Sequence, residues 1–372
     1  MKTTIIATVG ASLIGNIKRN VELNSMYEMN EFKKIADYMI TKITDERSLG
    51  AEVNSVESIL KEKFLDERKN LYLLVSDTET GIKTGEILKN YFENSPNSNF
   101  ENVYVKITEK LNDENREDFK RYGLRNIVKN MAEIIKKHGT ETIINATGGY
   151  KAQIAFALAP GQGMDIPVYY MFERFPTVIK LPPLPLSLDY KLYTEYLYFI
   201  DQFDEEEIII FDKEIENQYK VINEKLIPLF DIERVDREKY IALNPMGQVF
   251  VESAKFYYGI NKQKELKLSE RKNSFIFQYA NSEGHSKEII NSTGIEKIFE
   301  NIPFIERVIL LGNSESERSG KHFRIKIMGN YLKCSVYCKN GILDMKIETT
   351  AQNPEELFKG KEEIKSILEK IF

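Results

Sequence analysis

The sequence predicts a composite α/β fold: an amino-terminal domain on a mostly parallel sheet, and a carboxyl-terminal α+β domain on an antiparallel sheet. Three observations predict it. Up to about residue 172, short continuous apolar runs alternate with helical patterns, which is how βαβ units read when both faces of the sheet are covered. Beyond Leu268, strand-like runs are separated by Gly329-Asn330 and Lys339-Asn340-Gly341, and Asn-Gly between two such runs signals a hairpin. The chain has 372 residues, more than one hydrophobic core commonly supports.

The elements follow in order. Strands are expected over residues 3–9, 71–75, 102–107, 142–145 and 167–172, each a short β-branched or apolar run ending in small polar residues. Helices are expected over residues 29–43, 53–66, 81–92, 118–138 and 151–159. A proline cluster, Pro182, Pro183 and Pro185, reads as a stiff boundary. After it, residues 190–203 and 221–227 read as helices, with Pro228 as a stop, and residues 204–207 form an acidic run. Residues 239–252 read as a strand, an Asn244-Pro245-Met246-Gly247 turn and a helix. Apolar segments over 273–279 and 306–311 are ambiguous, and 286–299 looks helical. Three strands over 322–328, 331–338 and 342–348 form a meander, and residues 354–372 close the chain as a helix.

Composition narrows the function. The chain is 42% hydrophobic and 29% charged, as an ordinary globular protein is. Its net charge of −5 excludes a surface that binds nucleic acid all over, so any such contact is a local patch. Cys334 and Cys338 are the only cysteines, and His138, His285 and His322 are far apart, which argues against a zinc enzyme and a disulfide framework. No apolar run is long enough to span a bilayer and no leader pattern opens the chain, so a cytoplasmic location without membrane attachment is expected.

The loops after the first-domain strands are small and polar: Gly10-Ala11-Ser12, Ser76-Asp77-Thr78 and Thr147-Gly148-Gly149-Tyr150-Lys151. Ligands bind at the carboxyl ends of parallel strands. The last loop runs into a helix, whose free N–H groups attract an anion, with Lys151 adding charge. The glycines could equally serve only to turn a strand into a helix. Neither G-x-G-x-x-G nor a P-loop occurs.

Thr8-Val9-Gly10-Ala11-Ser12-Leu13 and Asn145-Ala146-Thr147-Gly148-Gly149-Tyr150-Lys151 together resemble the ligand-site loops of CARF domains of CRISPR-associated accessory proteins. The resemblance covers residues 1–180. It implies a Rossmann-like homodimer that senses cyclic oligoadenylate, with cyclic tetra-adenylate favoured, as an allosteric activator and with no other cofactor. It implies ligand contacts from Thr8, Gly10, Ala11, Ser12, Ser76, Asp77, Thr78, Asn145, Thr147, Gly148, Gly149, Tyr150 and Lys151. The hydroxyls of Thr8, Ser12 and Thr147 are suitable phosphate partners. Ser12 and Lys151 are candidates for slow cleavage of the ring.

Residues 187–267 resemble a winged-helix connector, either a DNA reader or a coupler between sensor and effector. Acidic residues are plentiful there, which suits the coupler. Residues 268–372 hold an uneven charge: between Lys321 and Lys346 six basic residues face the single Asp344. Alternation places Arg324 and Lys326 on one face, and Tyr331 and Lys333 on one face of the next strand. That face could hold RNA, or could simply be the solvent side of a one-sided sheet.

Lys321-His322-Phe323-Arg324-Ile325-Lys326-Ile327, then Asn330-Tyr331-Leu332-Lys333, resembles the core of RelE-type toxins, endoribonucleases that cut messenger RNA on the ribosome. The resemblance implies metal-independent cleavage with Arg324, Lys326, Lys333 and His322 as catalytic residues. The Arg and Tyr that this family places after its last strand are missing from Thr349-Thr350-Ala351-Gln352-Asn353. Asp344-Met345-Lys346 offers an alternative, a metal-dependent PD-(D/E)xK nuclease. A ligand-gated transcription regulator using the winged helix is another. A HEPN ribonuclease fits poorly, because Arg318 and His322 are too close and precede a strand.

Overall fold

The computed structural model describes the chain except residues 43–48, 113, 173–174, 186–187, 206–207, 263–267, 280–289, 292, 315–322, 339–340 and 372. It is a mixed α/β fold with one sheet parallel at its core and antiparallel sheets elsewhere. The chain divides into two compact units. One holds Met1–Leu188 and Leu243–Phe256; the other holds Asp189–Ala242 and Tyr257–Phe372.

The first unit begins with β1 (Thr4–Thr8), α1 (Ser12–Arg19), α2 (Val21–Glu28), α3 (Phe32–Lys42) and α4 (Ala51–Lys61). It continues through β2 (Asn70–Ser76), α5 (Glu79–Asn94), β3 (Asn102–Thr108) and the single turn α6 (Arg116–Asp118). A π-turn over Phe119–Gly123 leads into α7 (Leu124–His138), then β4 (Thr142–Asn145), α8 (Lys151–Gly163), β5 (Val168–Tyr170) and β6 (Ile179–Leu181). The strand order is β3-β2-β1-β4-β5-β6, and only β6 runs antiparallel to its neighbour. Strands β1, β2 and β4 are almost wholly buried, which explains their unbroken apolar runs.

Three sequence expectations for this unit need correction. Gly10-Ala11-Ser12 is not only a loop, because α1 starts at Ser12. Helix α2 was not expected at all; Asn20 caps it by accepting from the backbone of Glu22 and Leu23. The approach to the proline cluster is an edge strand, β6, where prolines just beyond the paired residues break no hydrogen bond.

In the second unit α9 (Tyr190–Glu195), α10 (Leu197–Ile200) and α11 (Gln202–Glu205) replace the single helix expected over 190–203. β7 (Ile209–Ile210) is followed by α12 (Lys213–Lys220), capped by Asp212, which accepts from the Ile215 amide at 2.9 Å. Residues 221–227 are therefore past the helix rather than in one, and Val221 is exposed. β8 (Phe230–Val235) and β9 (Glu238–Leu243) complete a three-stranded sheet in the order β7-β9-β8.

The turn at Asn244 is a helix cap: its side chain accepts from the Gly247 amide at 3.0 Å, and α13 (Pro245–Phe256) starts at once. Helix α13 belongs to the first unit and packs on α7 and α8. Nearly all its residues are buried, so it offers no open face for a DNA groove. Lys136 on α7, itself partly exposed, pairs with the buried carboxylate of Glu252 on α13 at 2.8 Å.

A second sheet in the latter unit contains β10 (Ile276–Gln278), β11 (Ile305–Ser314), β12 (Phe323–Met328), β13 (Tyr331–Cys338) and β14 (Gly341–Thr349), in the order β10-β11-β14-β13-β12. The short helix α14 (Ile295–Glu300) precedes β11, and α15 (Pro354–Leu368) follows β14. The expected meander is present, and β11 adds an antiparallel strand beside β14, with β10 parallel to it. Under the sheet, Lys361 of α15 and Asp201 form a buried ion pair. The other carboxylate oxygen of Asp201 accepts from the Ile327 amide at 3.0 Å, which ties β12 to the α10–α11 segment.

Candidate ligand site and candidate nucleic-acid interface

The strand order of the parallel sheet fixes where a ligand site can form. The chain adds β2 and β3 on one side of β1, then returns to place β4 on the other. The crevice between the carboxyl ends of β1 and β4 is the topological switch point. The loops at residues 9–11 and 146–150 flank it and meet. Thr8, 1% exposed, donates to the Gly148 carbonyl at 2.6 Å. A Cβ on Gly10 would stand 2.6 Å from the Gly149 nitrogen, and one on Gly148 would stand 2.5 Å from the Thr8 carbonyl oxygen. Both positions therefore exclude a side chain. Gly149 has φ +94°, which favours glycine independently.

Glu52 joins the two loops. It sits in the first turn of α4 and is 1% exposed. Its Oε1 accepts from the Gly10 amide at 2.8 Å, and its Oε2 accepts from the Ser12 hydroxyl at 2.9 Å. Ser12 Oγ in turn accepts from the Ala51 amide at 3.2 Å. Sequence reasoning missed Glu52. An acid in the first turn of a helix is ordinarily a solvated partner of the helix dipole, and nothing local marks this one as buried.

Three helix starts, those of α1, α4 and α8, thus belong to one network. Asn145, also 1% exposed, holds it from below: its amide nitrogen donates to Ser55 at 2.7 Å, and its oxygen accepts from the Thr147 hydroxyl at 2.6 Å. Thr147 Oγ1 accepts from the Met171 amide at 3.0 Å. The Gln153 side-chain oxygen is buried near Gly149 and has no hydrogen-bond partner among the described residues.

The expected phosphate donors stand differently from expectation. The Thr8, Ser12 and Thr147 hydroxyls all spend their protons inside the protein. What remains for an anion is the backbone at the α1 and α8 starts, with Ala11 and Gly149 exposed, and the exposed side chain of Lys151. Tyr150 is partly exposed and packs edge-on against Phe119, ring centres 5.3 Å apart.

Ser76 ends β2, which lies beside β1 in the sheet, and Asp77 and Thr78 follow it, but their side chains serve local structure. Thr78 caps α5, accepting from the Gly81 amide at 3.0 Å, and it hydrogen-bonds Ser76 at 2.8 Å. Asp77 accepts from the Lys110 amide at 2.7 Å and from Asn112 at 3.0 Å.

In the second unit, alternation holds as expected: Ile325, Ile327, Leu332, Cys334, Val336, Leu343, Met345 and Ile347 are buried, and their neighbours form the opposite face. Register sorts that face into rows. Lys326, Lys333 and Lys346 lie side by side across β12, β13 and β14. Arg324, Ser335 and Asp344 form the adjacent row.

Like charges directly opposite repel, and nearby acids offset part of this. Lys333 pairs with Asp344 at 3.1 Å, and Lys346 with Glu348 at 2.7 Å. Ser335 donates to Asp344 at 2.5 Å. Lys346 also lies over the Tyr331 ring, 4.7 Å from its centre. The patch is therefore less basic than the sequence count suggested. His322 and Lys321 lie outside the described residues.

Residues 47–184 match a CRISPR-associated family. The family model is described as CRISPR-associated protein (Cas_APE2256). The matched segment contains the loop over 147–151 and Glu52, and begins after the loop that follows β1. No curated protein matches the chain.

Among solved structures, the chain is similar to protein VC1899 from Vibrio cholerae, at 8% identity over 94% of this chain and 77% of that one, with a TM-score of 0.26. It is also similar to Can2 from Sulfobacillus thermosulfidooxidans, in complex with cyclic tetra-adenylate, at 9% identity over 72% of this chain and 68% of that one, with a TM-score of 0.23. At such TM-scores the two likenesses add nothing to the fold as described. Among the described residues, no helix is long and apolar enough to cross a membrane.

Proposed function

We propose that the chain is a cyclic oligoadenylate-activated endoribonuclease of CRISPR antiviral defence. The observation that carries this reading is the meeting of the Gly10 and Gly148–Gly149 loops at the switch point, with one of the two inside the segment that matches a CRISPR-associated family. The first unit, as a homodimer, binds the ring, cyclic tetra-adenylate being favoured. A two-fold ring suits a two-fold site, because each half makes the same contacts. Helix-start amides and Lys151 hold phosphates. The α13 segment, whose chain continues into the second unit at both ends, transmits the change.

The effector chemistry belongs to the lysine row. A ribose 2′-hydroxyl attacks the adjacent phosphate, and Arg324, Lys326 and Lys333 stabilise the charge that grows on phosphate and leaving oxygen. No metal enters this reading. The RNA is messenger RNA on the ribosome, which orients it for a weak acid–base set.

A second nuclease reading has its own observation. Asp344 and Lys346 are two residues apart on β14 and so share its open face, as a PD-(D/E)xK site requires. That chemistry needs a divalent metal on Asp344. One experiment tests both readings: purified protein receives cyclic tetra- or hexa-adenylate with RNA, with and without translating ribosomes and EDTA. Ligand-dependent cleavage that survives EDTA supports the lysine row; cleavage abolished by EDTA supports Asp344. Absence of ligand-dependent cleavage in every arm overturns the effector assignment.

A further inference from the structure

The network around Glu52 carries one inference beyond that reading, although it rests on the ligand assignment of the first unit. A serine hydroxyl has one proton and two acceptor lone pairs. At Ser12 the proton goes to Glu52 Oε2, 2.9 Å away, and the Ala51 amide occupies one lone pair at 3.2 Å. One acceptor position is left, on a residue that is exposed to solvent. Phosphate oxygens only accept, so the Ser12 hydroxyl has no proton to offer them. The Glu52 carboxylate behind it repels them as well, and Glu52 is held in place by burial and by the Gly10 amide.

We propose that Glu52 is a positioning residue that commits the Ser12 hydroxyl to donate inward, so that Ser12 reads a ribose 2′-hydroxyl of the ring rather than a phosphate. A ribose hydroxyl is the donor that lies next to each phosphate, where the starts of α1 and α8 supply N–H groups. The assignment makes Ser12 and Glu52 a specificity device: together they distinguish a ribonucleotide ring from its deoxy counterpart, because a buried or ligand-facing acceptor left without a donor is penalised.

The test measures calorimetric affinity of the full chain for cyclic tetra-adenylate and for its 2′-deoxy counterpart. The wild type is expected to prefer the ribose ring by about tenfold, the size of one lost hydrogen bond. In Glu52→Gln, the new amide donates to Ser12 and turns its proton outward, and the preference falls to about twofold or less. Ser12→Ala gives the same loss with Glu52 itself kept, still accepting from the Gly10 amide. Glu52→Asp, which keeps the charge but shortens the reach, also loses it. Wild type binding both rings equally, or Ser12→Ala keeping the full preference, overturns the role of Ser12. Glu52→Gln and Glu52→Asp both keeping it overturns the role of Glu52. Wild type binding neither ring overturns the ligand reading, and this inference with it.

Discussion

The two candidate sites are built in opposite ways. At the switch point of the first unit, the polar groups face one another: Glu52, Asn145 and Thr8 are almost wholly buried, and each is hydrogen-bonded to a loop backbone. On the open face of the second unit, the polar groups face outward in register, and the ion pairs Lys333–Asp344 and Lys346–Glu348 are partly exposed. The first arrangement shapes a backbone and fixes which way a loop hydroxyl donates, so its residues matter first for stability and then for how a ligand is read. The second shapes a field, so its residues matter for charged partners and little for folding.

Four expectations sharpen or break that contrast. The largest concerns the buried side of the second unit, where Asp201 and Lys361 pair out of solvent. Asp201→Ala is expected to cost about 3–5 kcal/mol, as loss of one partner of a buried ion pair does, read by urea denaturation. A cost under about 1 kcal/mol would break the distinction between buried and open sides. Next, Glu52→Ala leaves the Gly10 amide and Ser12 without their acceptor and is expected to cost about 2–3 kcal/mol, read as a drop in the denaturation midpoint. Third, Lys333→Ala is expected to change stability by less than about 1 kcal/mol while lowering ligand-dependent RNA cleavage at least about tenfold. Equal loss of stability and activity would mean that the lysine row is structural.

The smallest effect is a pH dependence. His138 accepts or donates in a 2.9 Å hydrogen bond with Tyr72, and burial, followed by the neighbouring Lys137, holds its pKa below the ordinary histidine value. The unfolded chain then takes up this proton at a higher pH than the folded one. Stability is therefore complete above the ordinary histidine pKa and declines as pH falls through it and on to the lower folded value. Thermal melting between pH 8 and pH 5 should show a slightly smaller decline in His138→Gln than in the wild type.

Much of the first unit is legible in the sequence because its strands are buried on both faces and so stand out as unbroken apolar runs; Thr142–Asn145 is an example. In the second unit the meander is legible because one-sided strands alternate and their turns carry Gly and Asn. What is hidden depends on distant partners. Glu52 looks like any helix-start acid until two loops fold over it. The three loop hydroxyls look like free donors until their acceptors, one of them 140 residues away, are in place. The net basic character of the Lys321–Lys346 stretch likewise overstated the face, because Glu348, just past that stretch on the same strand, pairs with Lys346.

Helix α13 has a consequence for how the protein is made. The first unit is not continuous in the chain: its last helix, which packs on α7 and α8, is separated from the rest of the unit by residues 189–242. During synthesis from the amino terminus, the parallel sheet can form early. The faces of α7 and α8 that α13 covers must wait until residue 256 has left the ribosome. Cutting the gene at the proline cluster would therefore leave the first unit with a raw apolar seam, and a well-folded excised first unit has to carry residues 243–256 with it.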